Sequence, residues 1–173
     1  MGSLIPTVLR AALGQPPRLV CARAIWLTGV DELRRRAGGR RESGAFLLGQ
    51  RRASTDRIQH FLFYDDIDPD CFRNGIVEFD GRYFGKVWEL CRTAGQTVVA
   101  DVHVHPHGCR QSPTDRRNPM IAQTGHVAVI LPDYATGKIM PGDIGIYDYQ
   151  GSRQWRSFGR RGNRILHIGW WPL

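Results

Sequence analysis

A stretch of thirteen residues, His103 to Asp115, carries groups from which a zinc centre can be built: His103 and His105, then Ser112 and Asp115. Val98 to Val102 reads as a buried apolar strand, which sets both histidines at its end. Side chains alternate across a strand, so His103 and His105 project to one face and can grip one ion. Ser112-Pro113-Thr114-Asp115 reads as a helix start, with Ser at the cap and Pro in the first turn. Asp115 can then turn back toward the histidines as a third ligand. Three protein ligands leave one tetrahedral position for water, the arrangement of a catalytic zinc.

The stretch resembles the JAMM (MPN+) zinc isopeptidases, whose signature is a distant Glu, then His-x-His, a spacer and Ser-x-x-Asp. Glu42 is the candidate for that Glu. It opens Glu42-Ser43-Gly44-Ala45-Phe46-Leu47-Leu48-Gly49, a segment similar, almost position for position, to the family's strand, with Gly44 and Gly49 in register. The two motifs stand about sixty residues apart in the family's order, and the order of elements agrees from about Val20 to Tyr149. One departure stands out. The family usually places seven residues between the second His and the Ser, whereas Pro106 to Gln111 make six.

The resemblance implies a single-domain, MPN/JAB-like α/β fold, a mixed β-sheet flanked by helices, with one Zn2+ per chain. It implies a substrate bond that follows the C-terminal tail of a ubiquitin-like protein, the tail lying beside a strand. Deconjugation, precursor processing and a sulfur-carrier peptidase activity all fall within it. The partners implied are the ubiquitin-like protein or its conjugates, with their activating and conjugating enzymes. Asp115-Arg116-Arg117-Asn118-Pro119-Met120 looks most like the prokaryotic branch, some of whose members act in antiphage defence.

The chemistry follows from the residues themselves. Zinc held by His103, His105 and Asp115 lowers the pKa of a bound water toward ~7. Glu42 is the candidate to take that proton and later deliver it to a departing amine. The Ser112 hydroxyl can help stabilise charge developing on the carbonyl oxygen. Asp101 shares the strand face with both histidines and is a candidate to orient one imidazole.

Each residue also has a plainer reading. Ser112-x-x-Asp115 is close to a capping box, His-x-His can lie on an exposed strand face, and a lone Glu is usually solvated. The joint pattern favours the metal. His107 reads as a rim residue; Cys109 is a free thiol or, alternatively, a ligand that blocks the water position. His60, His126 and His167 read as satisfied core or surface histidines.

Composition agrees with one enzyme domain: 173 residues, 42% hydrophobic, expected as an N-terminal extension over 1–17 and a domain over 18–173. No apolar run reaches the ~18 residues that cross a bilayer. Leu4 to Leu13 is broken by Pro6 and Arg10, so a secretory signal is not expected, and a myristoylation signal is not met. Cys21, Cys71, Cys91 and Cys109 show neither zinc-ribbon nor disulfide spacing. A cytoplasmic location is expected.

Along the chain, strands are expected over Arg18 to Leu27, Ala45 to Gly49, Ile58 to Tyr64, Gly75 to Phe79, His126 to Leu131, Asp143 to Tyr149 and Arg164 to Trp171. Helices are expected from a Thr28 cap through Arg36, over Gly81 to Ala94, and from Pro113 to about Gln123, with Pro119 bending or ending the last.

The net charge of +8 invites a nucleic-acid reading. Yet the arginines fall in scattered short clusters without interleaved aromatics, and no nucleic-acid motif accompanies them. Arg116 and Arg117 differ, since they follow Asp115 and can draw in an acidic protein substrate. The readings from other classes are a non-catalytic MPN-type scaffold and a basic nucleic-acid-binding domain.

Overall fold

Thr97–Val104 is apolar at most positions and buried from Val98 onward, which marks an inner strand. In the computed structural model, which describes residues 16–170, it is the fourth of eight strands. These are β1 (Leu19–Ala22), β2 (Gly44–Gln50), β3 (Asp56–Phe63), β4 (Thr97–Val104), β5 (Val127–Leu131), β6 (Gly145–Gly151), β7 (Gln154–Ser157) and β8 (Leu166–Gly169). The helices are α1 (Arg23–Ala37), α2 (Phe84–Thr93) and α3 (Pro113–Arg117). One mixed sheet runs in the order β7-β6-β5-β4-β2-β3-β1-β8. The β4–β5, β1–β3 and β1–β8 pairs are parallel and the others antiparallel.

Each sheet face buries its own apolar cluster. On one, Trp26, Val30 and Leu33 of α1 pack on Ala45, Leu47, Val102 and Val129. The buried Trp26 indole donates to the Ile139 carbonyl at 2.9 Å, which satisfies its polar edge. On the other face Phe46, Leu48 and Tyr64 meet Val87 and Cys91 of α2. The expected α/β architecture, a mixed sheet with helices, is therefore present.

Several expected boundaries are corrected. The strand over Arg18 to Leu27 stops at Ala22, and α1 begins at Arg23 without a Thr28 cap. Trp26, Val30, Leu33 and Ala37 form one buried stripe at helical spacing, and that burial outweighs the short apolar run Ile25 to Leu27. Gly38, at φ +56°, closes the helix with its amide on the Arg34 carbonyl.

Gly75 to Phe79 forms no strand, because its amides go elsewhere. Val77 N–H donates to Glu42 Oε2 and Glu78 N–H to the Cys71 carbonyl, while Asp80 N–H donates to Asp68 Oδ2. The helix opened by Pro113 ends at Arg117, well before Gln123, since Asn118 leaves helical geometry ahead of Pro119. Over Gly81 to Ala94, a 3-10 turn (Gly81–Tyr83) precedes α2. The strand expected from Asp143 begins at Gly145, and β7, which was not expected, completes a hairpin with it. The last strand spans only Leu166–Gly169, after a 3-10 turn over Gly159–Arg164.

Residues 1–15 and 171–173, which hold Leu4 to Leu13, most of the expected extension and the end of the strand expected through Trp171, lie outside the described residues. Among the described residues, no helix is long and apolar enough to cross a membrane. All four cysteines are free thiols.

Candidate metal centre and its cleft

Strand register brings Glu42 to the histidines. β2 and β4 pair antiparallel with Gly44 opposite His103 and Ala45 opposite Val102. Directly opposed residues share a face, so continuing the register two residues sets Glu42 beside His105. Val104 N–H donates to the Ser43 carbonyl at 2.9 Å and extends the ladder past the strand end. Gly44 has no room for a side chain, as a Cβ there would stand 2.4 Å from the Tyr64 ring.

Asp115 arrives on α3, held by a complete capping box. Ser112 Oγ accepts from Asp115 N–H at 3.1 Å, and Asp115 Oδ2 accepts from Ser112 N–H at 2.6 Å. The capping pattern and the ligand pattern are thus one arrangement. The cap fixes the carboxylate, and the fixed carboxylate faces the histidines. Two contacts hold the six-residue loop before Ser112. The Tyr147 hydroxyl donates to the Cys109 carbonyl at 2.8 Å, and a Cβ at Gly145 would lie 2.2 Å from that same oxygen.

His103, His105 and Asp115 form a group that could hold a metal ion. Their nearest atoms are 2.9 Å apart for His103 Nε2 and His105 Nε2, 3.6 Å for His103 Nε2 and Asp115 Oδ1, and 3.3 Å for His105 Nε2 and Asp115 Oδ2. Tetrahedral donors with bonds of about 2.0–2.2 Å stand roughly 3.3–3.6 Å apart, so this donor set fits a small divalent cation with little adjustment. Glu42 is not in the group. Its Oε2 is held by the Val77 amide at 2.9 Å, and its Oε1 faces His105 Nε2 at 3.8 Å.

Burial and charge set the protonation states. Burial lowers the His103 pKa, and the Asp115 charge does not restore it. Burial also pushes His105 down, but the hydrogen bond and charge of Asp115, with the charge of Glu42, outweigh it, and the pKa is raised from 6.5. Burial pushes Asp115 up; the His105 hydrogen bond, the His103 charge and the Ser112 amide overcome it and hold the carboxyl at about 2. Below the raised His105 value, the metal-free centre therefore sets an imidazolium at His105 against an ionised Asp115.

That has a pH consequence. A cation must displace the His105 proton, while Asp115 is already ionised and His103 already neutral. Metal affinity is expected to fall about tenfold per pH unit below the raised His105 value and to level off above it. Zinc titrations at stepped pH check this; a flat profile would show that no proton leaves.

Asp101 is buried on the same face, but its partners are others: Oδ1 lies 2.5 Å from His126 Nε2 and Oδ2 accepts from the Tyr64 hydroxyl at 3.4 Å. No hydrogen bond joins it to either metal-group imidazole, so orientation of those rings falls elsewhere. His105 is held through its backbone instead. Its amide donates to the Leu131 carbonyl at 2.9 Å, and its carbonyl accepts from Tyr134 N–H at 2.8 Å. Tyr134 lies in a left-handed turn, Asp133, Tyr134 and Ala135 at φ +53°, +51° and +60°. Such backbone costs about 1–2 kcal/mol per residue, and the Arg34 guanidinium helps hold it by donating to the Ala135 carbonyl at 2.9 Å. No local sequence signal marks this turn, since none of its three residues is a glycine.

Beside the centre opens a cleft of about 460 Å³ whose lining includes His103, Asp115, Phe79, Phe84 and Trp155. Arg116 and Arg117 are exposed and do not line it; the Arg116 carbonyl instead accepts from the Trp155 indole at 3.2 Å. His107 is exposed, and Cys109 Sγ lies 4.0 Å from the Asp143 carbonyl, outside the ligand group. His60 is exposed against Gln96.

Fold and site together define a mixed α/β domain with a His-His-Asp group beside a buried Glu. No family model matches the chain. In fold it is similar to the solution structure of protein DSY2949 from Desulfitobacterium hafniense, with a TM-score of 0.63 and 14% identity over 87% of this chain and 92% of that one. A solution structure of a protein from Salinibacter ruber aligns with a TM-score of 0.47 and 21% identity, over 74% of this chain and 83% of that chain. The first likeness shows a shared fold.

Proposed function

We propose that this chain is a JAMM-type (MPN+) zinc peptidase. In this reading it hydrolyses the bond after the C-terminal tail of a ubiquitin-like protein, on conjugates or on precursors. The observation that carries the reading is the meeting of Glu42 with His105 at 3.8 Å, beside a three-donor group that Glu42 does not join. A buried carboxylate, anchored through one oxygen and turned to the donors with the other, suits proton transfer better than ligation.

His103, His105 and Asp115 would hold the zinc ion, which would supply Lewis acidity and acidify a water there. Glu42 takes a proton on Oε1 and returns it to the departing amine, while the Val77 amide keeps the carboxylate from swinging away. Ser112 Oγ accepts the Asp115 amide, and its hydroxyl, which also bears on the Asp115 carboxylate, turns from it to donate to a carbonyl oxygen that gains charge. The aromatic walls of the cleft exclude water from an extended tail. The partners of this reading are the ubiquitin-like protein and its activating and conjugating enzymes, as in bacterial antiphage systems.

The test is cleavage of a panel of ubiquitin-like fusions by zinc-loaded protein. Cuts at the tail junction that a chelator abolishes and zinc restores are expected. Zinc-loaded protein that binds tails and cuts none of them would make this an MPN-type scaffold.

A further inference from the structure

We infer that the chain carries a second binding site, for a small phosphate-bearing anion, beside His126. It is a polar pocket of about 210 Å³ between the β2–β3 turn and the segment leading into β5, with Arg18, Arg51, Arg52, Ser54, Gln123 and Thr124 in its wall.

Several of the charged groups there are already matched. Arg18 is spoken for: Nη1 contacts Asp148 Oδ1 at 2.9 Å, and Nη2 donates to the Gly125 carbonyl. Asp56, the carboxylate in the wall, accepts from the Arg52 backbone amide at 3.2 Å and so shapes the turn. His126 is committed to Asp101 at 2.5 Å. That leaves the guanidiniums of Arg51 and Arg52, neither of which has a carboxylate within 4.0 Å among the described residues. Ser54 and Thr124, in the same wall, carry hydroxyls that can serve as further donors.

Two guanidiniums with neutral donors, set against the single Asp56 carboxylate whose charge acts on Arg51, leave a net positive wall that suits the several acceptor oxygens of a phosphate. A phosphomonoester carries about −1.5 to −2 charges at pH 7 and matches the guanidinium fork. The volume decides the size. At about 210 Å³ the pocket is smaller than the roughly 300–1,000 Å³ of sites for drug-sized ligands, which suits a phosphate with a small attached group.

The experiment is calorimetric titration of the full chain at fixed ionic strength with inorganic phosphate, ribose 5-phosphate, acetate and a short RNA. Phosphate and the sugar phosphate are expected to bind and acetate is not. Arg51→Ala and Arg52→Ala are each expected to weaken phosphate binding by about tenfold or more, the loss of a charge-assisted hydrogen bond. Arg160→Ala, an exposed arginine elsewhere, should leave it unchanged. Both pocket arginines are exposed on a turn, and unchanged thermal melts of the ligand-free variants keep folding out of the comparison. Equal binding of acetate, equal loss in Arg160→Ala, or binding of RNA without binding of phosphate would each overturn the site. The readout is independent of peptidase activity.

Discussion

Glu42→Gln is expected to lower kcat for tail cleavage by about 10²–10⁴-fold with zinc stoichiometry unchanged. The substitution keeps shape and most contacts: the Gln carbonyl can still accept from the Val77 amide, as Oε2 does now at 2.9 Å. What it removes is an atom that can take a proton near His105. Because Glu42 stands outside the His103, His105 and Asp115 group, zinc content should stay at the wild-type value while turnover collapses. Turnover and metal measured on one preparation check this. Loss of zinc would make Glu42 a ligand; full activity would remove it from the chemistry.

The largest expected effect on stability comes from Gly49→Ala. An added Cβ would stand 1.7 Å from the Arg57 carbonyl oxygen and 2.8 Å from its carbon, both backbone atoms that no rotamer change can move. Gly49 sits where the β2–β3 register shifts, pairing with Ile58 straight after Leu48 pairs with His60, so the backbones approach closely at Gly49 where β3 carries an extra residue. Destabilisation of about 3 kcal/mol or more is expected in denaturant melts. Gly85→Ala in α2 is the control, since its Cβ would meet nothing within 4 Å. It should stabilise by about 0.5–1 kcal/mol, as helical Gly→Ala changes do. Equal effects of the two would mean the strands part easily at Gly49.

Gly49 also shows what could be read without a structure. Its place in the Glu42 to Gly49 segment was legible as a pattern, and the reason for it was not, because the atom that excludes a side chain belongs to Arg57 on another strand. His103 and His105 were legible on one face because alternation along a strand is local. The meeting of Glu42 with His105 depends on β2 pairing with β4 although β3 lies between them in the chain, and no local rule supplies that. Ser112 and Asp115 were read two ways, as a cap and as site residues, and the structure joins both in one turn. Where sequence reasoning went astray, competition for backbone groups explains it. Ile76, Val77 and Phe79 have the composition of a strand, but Glu42 and Cys71 take amides from that segment, and Asp68 takes that of Asp80 just beyond it. The His126–Asp101 pair and the left-handed turn under His105 had no signal, because each joins residues made adjacent only by the sheet.

The parallel pairing of β1 with β8 has a consequence for how the chain is made. β1 sits between β3 and β8, so its outer edge has no partner until residues 166–169 have been synthesised. During elongation the sheet can assemble from β2 through β7 with that edge open, and an open edge invites pairing with other chains. The hazard is limited by length, since β1 has only four residues. Aggregation of nascent protein should therefore peak in chains stalled after β7 and before β8, and a chaperone that shields strand edges should matter most in that window.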